Sequence, residues 1–357
     1  MIARNVEFSN IRALEADPSS GGYRLARFPE TLRTKLSPRA RLHGAGACGG
    51  EIRFVTDAPF FNVKLMARNS STWPGTPVPQ LCVMCGNLEH RRIDLVPDIM
   101  HTLSFDAVHF NSVRPEVLRP LAGYGFAPEV WRFVLPACEI FFGGIETWSC
   151  PIRPPFDHEK PAMRCLCYGS SITQCSGPDG WPAQLGQLLG IEMWNLGLSG
   201  SCLLEPEIAD FLAGSEERFD GIIFEPGMNL LEKITPGEFS RRVEYLLKTI
   251  TQQHPDVPIL ILDLFPHGGE ANYRCDNNLQ PENTGAFRQV LHCIVEQFRK
   301  RGLRISLAES AKLSPPALCW STDLLHPRAM GNSMIAFSLA ETLRRQWNLK
   351  PWYREEI

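Results

Sequence analysis

Two regimes of hydrophobic patterning divide the chain. Before residue 151, polar and apolar positions alternate in short runs. EIRFVTD (51–57) and FNVKLMA (61–67) each put every second residue on one face, the two-residue repeat of a half-buried strand. QLCVMCG, RRIDLV, HTLSFDAV, VWRFVLP and EIFFGGIE follow, separated by turn residues, and few windows fit a helical period. Many short strands at close spacing predict an antiparallel β-sandwich, jelly-roll-like in type.

After residue 161 strands and helices alternate. MRCLCYG (163–169), IEMWNLG (191–197), GIIFEPG (221–227), PILILDLF (258–265) and LRISLAE (303–309) read as strands. Between them, Trp181, Leu185, Leu188 and Leu189 recur at helical spacing, as do Phe239, Val243, Leu246 and Ile250. Thr235-Pro236-Gly237-Glu238 has the form of a capping box with Pro at the first helical position. Another helix carries Phe287, Val290, Leu291, Ile294 and Phe298, and a last one runs from about Arg328 to Arg345. This alternation predicts a parallel sheet with right-handed crossovers, which places a site at the carboxyl ends of its strands. Between the two regimes, PIRPPFDHEKP is rich in Pro and reads as a linker. The expected division is a sandwich over 1–156, with a substrate-binding or accessory role, and a catalytic domain over 157–357.

Composition narrows the function by exclusion. The 357 residues include 36 Lys plus Arg against 39 Asp plus Glu, for a net charge of -3. Such a balance suits neither nucleic acid nor an anionic membrane as partner. The start of the sequence lacks a secretory h-region, and no apolar run reaches the ~18 residues of a spanning helix. The 12 cysteines sit mostly in apolar runs and read as reduced and buried, which gives a cytoplasmic expectation. Cys82 and Cys85 form a CxxC with no second ligand pair, so strand core is expected there and no metal or cofactor.

Four short blocks carry candidate chemistry, each after a strand. In Gly169-Ser170-Ser171-Ile172-Thr173, a serine in a strand-to-helix turn can present its hydroxyl to a carbonyl, or the loop simply turns the chain. Asn195-Leu196-Gly197-Leu198-Ser199-Gly200-Ser201 is a glycine-rich turn whose backbone can approach a ligand or merely cap a strand. In Glu225-Pro226-Gly227-Met228-Asn229, the Asn can aim its amide at an oxyanion or serve as a turn residue. In Asp323-Leu324-Leu325-His326-Pro327, the carboxylate can reach the imidazole of the same loop, or the two residues are a cap and a surface histidine.

In order and spacing the four blocks resemble those of the SGNH, or GDSL, family of serine ester hydrolases. The resemblance covers Met163 to the last helix and implies a flavodoxin-like three-layer α/β/α domain. It implies Ser171 as nucleophile, His326 as general base and Asp323 as its orienter. The Ser171 N–H, the Gly200 N–H and the Asn229 amide would form the oxyanion hole. Two positions depart from the family pattern. Ser170 and Leu230 stand where Asp is common. The GSSIT form behind a β-sandwich is similar to a subgroup containing carbohydrate acetylesterases and a polyketide-tailoring acyltransferase. A carboxylic-ester hydrolase acting on short acyl esters of a carbohydrate or small molecule is therefore expected. Transfer to an acceptor hydroxyl and non-catalytic carbohydrate binding are the alternatives, and oligomeric state stays open.

Three further residues are candidate substrate contacts. His267 lies at the catalytic edge and could line a pocket or compete as base. Trp181 could stack on a sugar or pack in a helix core. Arg274 sits in a Gly- and Asn-rich stretch, 265–282, that reads as a lid. His109, Trp73 and Trp131 read as structural.

Overall fold

In the computed structural model, residues 1–69, 78–108, 125–175, 177–271, 281–314, 319–347 and 349 are described. Arg274, His109, Trp73 and half of the expected lid, 272–280, lie outside them. Alternation builds the first half as expected. Its strands are β1 (Ile2–Ala3), β2 (Val6–Ser9), β3 (Ala13–Asp17), β4 (Gly22–Ala26), β5 (Glu51–Thr56), β6 (Phe60–Arg68), β7 (Gln80–Cys85), β8 (Leu88–Asp94), β9 (His101–Asp106), β10 (Trp131–Val134), β11 (Glu139–Glu146) and β12 (Ile152–Arg153). One sheet runs β1-β2-β5-β10-β7-β8, with β12 also on β5; the other runs β3-β4-β11-β6-β9. All their pairings are antiparallel.

The two sheets face each other across one aromatic core. Phe54 meets Phe61 edge-on at 5.4 Å, Phe61 meets Trp131 at 4.9 Å, and Phe105 meets Phe133 at 5.2 Å. Each pair joins one sheet to the other. Such contacts add about 0.5–1.5 kcal/mol apiece beyond their buried area. Cys82 and Cys85 lie in β7 three residues apart, hence on opposite faces. Cys85 packs in the sandwich core and Cys82 against Met84 and Val134 outside it, so they do not converge on a ligand.

The sandwich also holds two short helices, α1 (Glu30–Arg33) and α2 (Pro38–Ala45). Ser37-Pro38 is the start signal for α2: Pro sits at the first helical position, where its missing N–H costs nothing.

The second half is a five-stranded parallel sheet of β13 (Arg164–Gly169), β14 (Glu192–Asn195), β15 (Gly221–Glu225), β16 (Ile259–Leu262) and β17 (Ile305–Ala308), in the order β14-β13-β15-β16-β17. Its helices are α3 (Ser171–Gln174), α4 (Trp181–Leu189), α5 (Pro206–Ala213), α6 (Pro236–Gln253), α7 (Pro281–Lys300), α8 (Ser310–Leu313) and α9 (Ala329–Gln346). α4 packs with α9, while α5, α6 and α7 pack in succession, giving helix layers on both faces of the sheet. Half of the expected capping box at α6 forms. Thr235 Oγ1 accepts from the Glu238 N–H at 3.3 Å, but the Glu238 carboxylate turns outward to Arg241 and Arg242. No helix of the described residues is long and apolar enough to cross a membrane.

A buried polar seam joins the halves. Glu192, at the amino end of β14, accepts from Arg53 at 2.5 Å, from Arg164 at 2.7 Å and from Ser9. Glu51 accepts from Arg53 at 2.7 Å and from Arg132 at 2.6 and 2.8 Å. Arg27, fully buried, donates to the carbonyls of His43 and Gly46 on its own side and of Asn195 and Gly197 across the seam.

Candidate active site

β13 ends at Gly169, and the chain turns at once into α3. A Cβ at position 169 would collide with Thr173 Oγ1 and Glu225 Oε2, so only glycine lets the turn close over the end of β15. Ser170 caps α3, its hydroxyl accepting from the Ile172 N–H at 3.1 Å. Ser171 follows as the first residue of α3 and faces outward.

Its hydroxyl lies 2.7 Å from His326 Nε2, and His326 Nδ1 lies 2.6 Å from Asp323 Oδ2. The Asp323–His326 loop is closed on itself. Asp323 Oδ1 accepts from the backbone N–H groups of Leu325 and His326, both at 3.0 Å, and Leu324 takes the left-handed conformation at φ 53°. Burial opposes charge on Asp323, but hydrogen bonds from the His326 ring and from these two N–H groups outweigh it and hold the carboxyl below its usual range. A carboxylate at Nδ1 keeps the proton there, which leaves Nε2 as an acceptor for the Ser171 hydroxyl.

Beside the relay, a cavity of about 310 Å³ is bordered by Ser171, Gly200, Asn229, Arg39, Lys233 and His326. Asn229 Oδ1 accepts from the Cys202 N–H at 3.0 Å, which fixes the amide plane and frees Nδ2. The N–H groups of Ser171 and Gly200 and the Nδ2 of Asn229 have no acceptor among the described residues. Three convergent free donors beside a hydroxyl can hold an oxyanion. A second cavity of about 390 Å³ opens on the other side of Ser171 and His326, against Cys175, Asp179, Pro327 and Asn332.

The glycine-rich turn after β14 is held from both sides. Asn195 Nδ2 donates to the Thr173 carbonyl at 2.7 Å and the Gln174 carbonyl at 3.1 Å, while its Oδ1 accepts from the Gly197 N–H. The Gln174 side chain accepts from the Ser199 N–H at 2.7 Å. Arg39 of α2 reaches over from the sandwich and donates Nε to the Ser199 carbonyl at 3.0 Å.

Sequence reading passed over two of the residues that shape this site. Glu225 ends β15 beneath the Ser171 turn, where it accepts from the Ser170 N–H at 2.7 Å, the Ser170 hydroxyl at 2.8 Å and the Thr173 hydroxyl at 2.9 Å. The carboxyl that the family commonly carries at position 170 is thus supplied from a neighbouring strand end. Burial without a cationic partner pushes Glu225 up to about 7, against the pull of those hydrogen bonds. A glutamate closing an apolar strand, GIIFE, was its signal. Arg39 was signalled only by the Ser-Pro start of its helix. At the other departure, Leu230 is buried in the α/β core.

Two expected substrate contacts are corrected. Trp181 is fully buried, and its indole N–H donates to the Ile172 carbonyl at 2.9 Å, so it braces the back of α3. His267 is also fully buried, with Nε2 2.9 Å from the Thr284 hydroxyl and its pKa lowered by burial. Both rings lie in the core, and His267 Nδ1 has no hydrogen-bond partner among the described residues.

These features define a serine ester hydrolase or acyl-transfer class of the SGNH type. The sequence profile of the GDSL-like lipase/acylhydrolase family matches residues 162–344, just over half of the chain, and the protein belongs to that family. No curated protein sequence matches it. Among solved structures it is similar to the salicylyl-acyltransferase SsfX3 from a tetracycline biosynthetic pathway, with 18% identity, TM-score 0.77, and 97% of this chain and 94% of that one covered. It also resembles a GDSL-like lipase of Bacteroides ovatus described as putative, with 18% identity, TM-score 0.71 and coverage of 98% and 97%. A family two carbohydrate esterase of Clostridium thermocellum, solved with cellohexaose, shares 12% identity at TM-score 0.63, with 98% and 100% covered. At these identities the likeness is one of fold.

Proposed function

We propose that the protein hydrolyses short acyl esters, of a carbohydrate or a similar small molecule, through an acyl-Ser171 intermediate. The observation that carries this reading is the continuous relay from the Asp323 carboxylate through His326 to the Ser171 hydroxyl. His326 Nε2 takes the hydroxyl proton as Oγ bonds to the ester carbonyl carbon. The tetrahedral oxyanion accepts from the Ser171 and Gly200 N–H groups and from Asn229 Nδ2. As the C–O bond to the alcohol breaks, His326 returns its proton to that oxygen. Water then repeats the sequence on the acyl-enzyme and releases the acid.

The alternative is transfer of the acyl group to an acceptor hydroxyl, the activity named for one structural neighbour. The side chains of His326 and Asp323 are 40% and 43% exposed, which lets water reach the acyl-enzyme and supports hydrolysis. The cysteines of the described residues are all free, which supports a reducing, cytoplasmic setting.

A fluorophosphonate is expected to label Ser171 stoichiometrically in folded protein. Absence of labelling would leave only the carbohydrate-binding reading. Asn229→Ala is expected to lower kcat by about 10²–10³ on a p-nitrophenyl acetate substrate without unfolding the protein. Retained turnover would remove Asn229 from the oxyanion hole. Free acid against transferred ester, measured with acetylated sugars and candidate acceptors, separates hydrolysis from transfer.

A further inference from the structure

Two cations, Arg39 and Lys233, stand beside the oxyanion donors without a catalytic assignment, and Arg39 comes from the other half of the molecule. Arg39, on α2 of the sandwich, borders the same cavity as Ser171, Gly200 and Asn229. Its Nε donates to the Ser199 carbonyl at 3.0 Å, and its guanidinium packs against Gly200 so closely that a Cβ there would stand 2.5 Å from Arg39 Cζ. Gly200 meets this approach with a left-handed φ of 64°. The Ser199–Gly200 peptide is trans and planar, so its C=O and N–H point in opposite directions. The carbonyl that Arg39 holds therefore shares a peptide with the one N–H of this turn that has been placed in the oxyanion hole.

Resting on that reading of the site, we propose that Arg39 is a positioning residue for the reaction. It fixes the tilt of the Ser199–Gly200 peptide and, by drawing electron density toward the carbonyl oxygen, strengthens the Gly200 N–H as a donor. Hydrogen bonds in series polarise one another in this way, and a charged donor at the head of the chain increases the effect. Ser199 O has a second, neutral donor in the Ser201 hydroxyl at 3.3 Å, which holds the carbonyl when Arg39 is absent but supplies no charge. The interaction is exposed, so its loss is compatible with folding. It matters most when negative charge develops opposite the Gly200 N–H, so it bears on turnover more than on substrate binding.

The test uses the full chain and p-nitrophenyl acetate, a neutral ester with no carboxylate for a cation to pair with. Arg39→Met keeps the length of the stem and removes the donor and the charge. It is expected to lower kcat roughly tenfold with KM changed less than about twofold, while Arg39→Lys, which keeps a charged donor, stays within about threefold of the parent. Unchanged kcat in Arg39→Met overturns the proposal. So does a loss confined to KM and to carboxylate-bearing esters, which would make Arg39 an anion contact for substrate. Asn229→Ala, measured alongside, separates the two levels. Full activity there removes the oxyanion reading itself, whereas a collapsed kcat there with a normal Arg39→Met removes only the role of Arg39.

Discussion

The two ends of the parallel sheet each bury a glutamate, and they treat it in opposite ways. Glu192, at the amino end of β14, faces the sandwich and is met by Arg53 and Arg164. Glu225, at the carboxyl end of β15, meets two hydroxyls and a backbone N–H but, among the described residues, no cation. Burial opposes charge in both, yet coulombic pull from the arginines drives Glu192 far below its usual range while Glu225 rises to about 7. The lesson is that burial alone does not fix the ionisation of a carboxyl; what replaces its water does. At one end the replacement is charge, and the result is a seam locking two domains. At the other it is dipoles, and the result is a rigid seat under the Ser171 turn.

The largest expected effect probes the charged end. Arg53→Ala removes the guanidinium that Glu51 and Glu192 share and is expected to cost about 3–5 kcal/mol in denaturant unfolding, because Glu51 then keeps only Arg132 and Glu192 only Arg164 as cationic partners in the buried seam. A loss below about 1 kcal/mol would show that water enters the seam and replaces the arginine.

Next comes the pH dependence of the uncharged end. Unfolded, Glu225 gives up its proton near 4.5, as an ordinary glutamate does; folded, it keeps it to about 7. The folded state thus binds more protons across this window, so Glu225 makes stability fall as pH rises from about 4.5 to about 7, by about 3 kcal/mol, and adds no slope above that. Glu225→Gln cannot ionise. The stability difference between the variant and the parent, followed by urea unfolding at several pH values, is expected to move in favour of the variant over that range. A constant difference would mean that Glu225 titrates as an ordinary carboxylate.

The smallest effect sharpens the comparison inside the seat. Ser170→Ala removes one hydroxyl donor to Glu225 and the cap of α3 together, and about 1–2 kcal/mol of stability is expected to go with them. Thermal unfolding at fixed pH checks it.

What the sequence made legible follows the range of each interaction. Ser171 sits in a short block at a strand end, and the Asp323–His326 pair closes within one loop before α9, so its chemistry is readable from neighbours in the chain. The strand and helix periods were equally local, and the parallel sheet followed from them. The roles of Glu225 and Arg39 were not readable, because each acts on a residue far away in sequence and nothing in its own neighbourhood encodes the partner. Trp181 and His267 misled for the converse reason. Polar aromatic residues near catalytic blocks read as pocket walls, but the Ile172 carbonyl takes the Trp181 indole N–H and the Thr284 hydroxyl meets His267 Nε2 from within the core.

Arg27 carries a consequence for how the molecule assembles. Its guanidinium is stapled to carbonyls of both halves, and two of those belong to the turn that leads to Gly200. That turn therefore reaches its final shape only after the sandwich has folded and docked. An α/β half that finishes early after dilution from denaturant is a compact precursor with a loose second loop, and maturation of the enzyme then waits on its N-terminal companion.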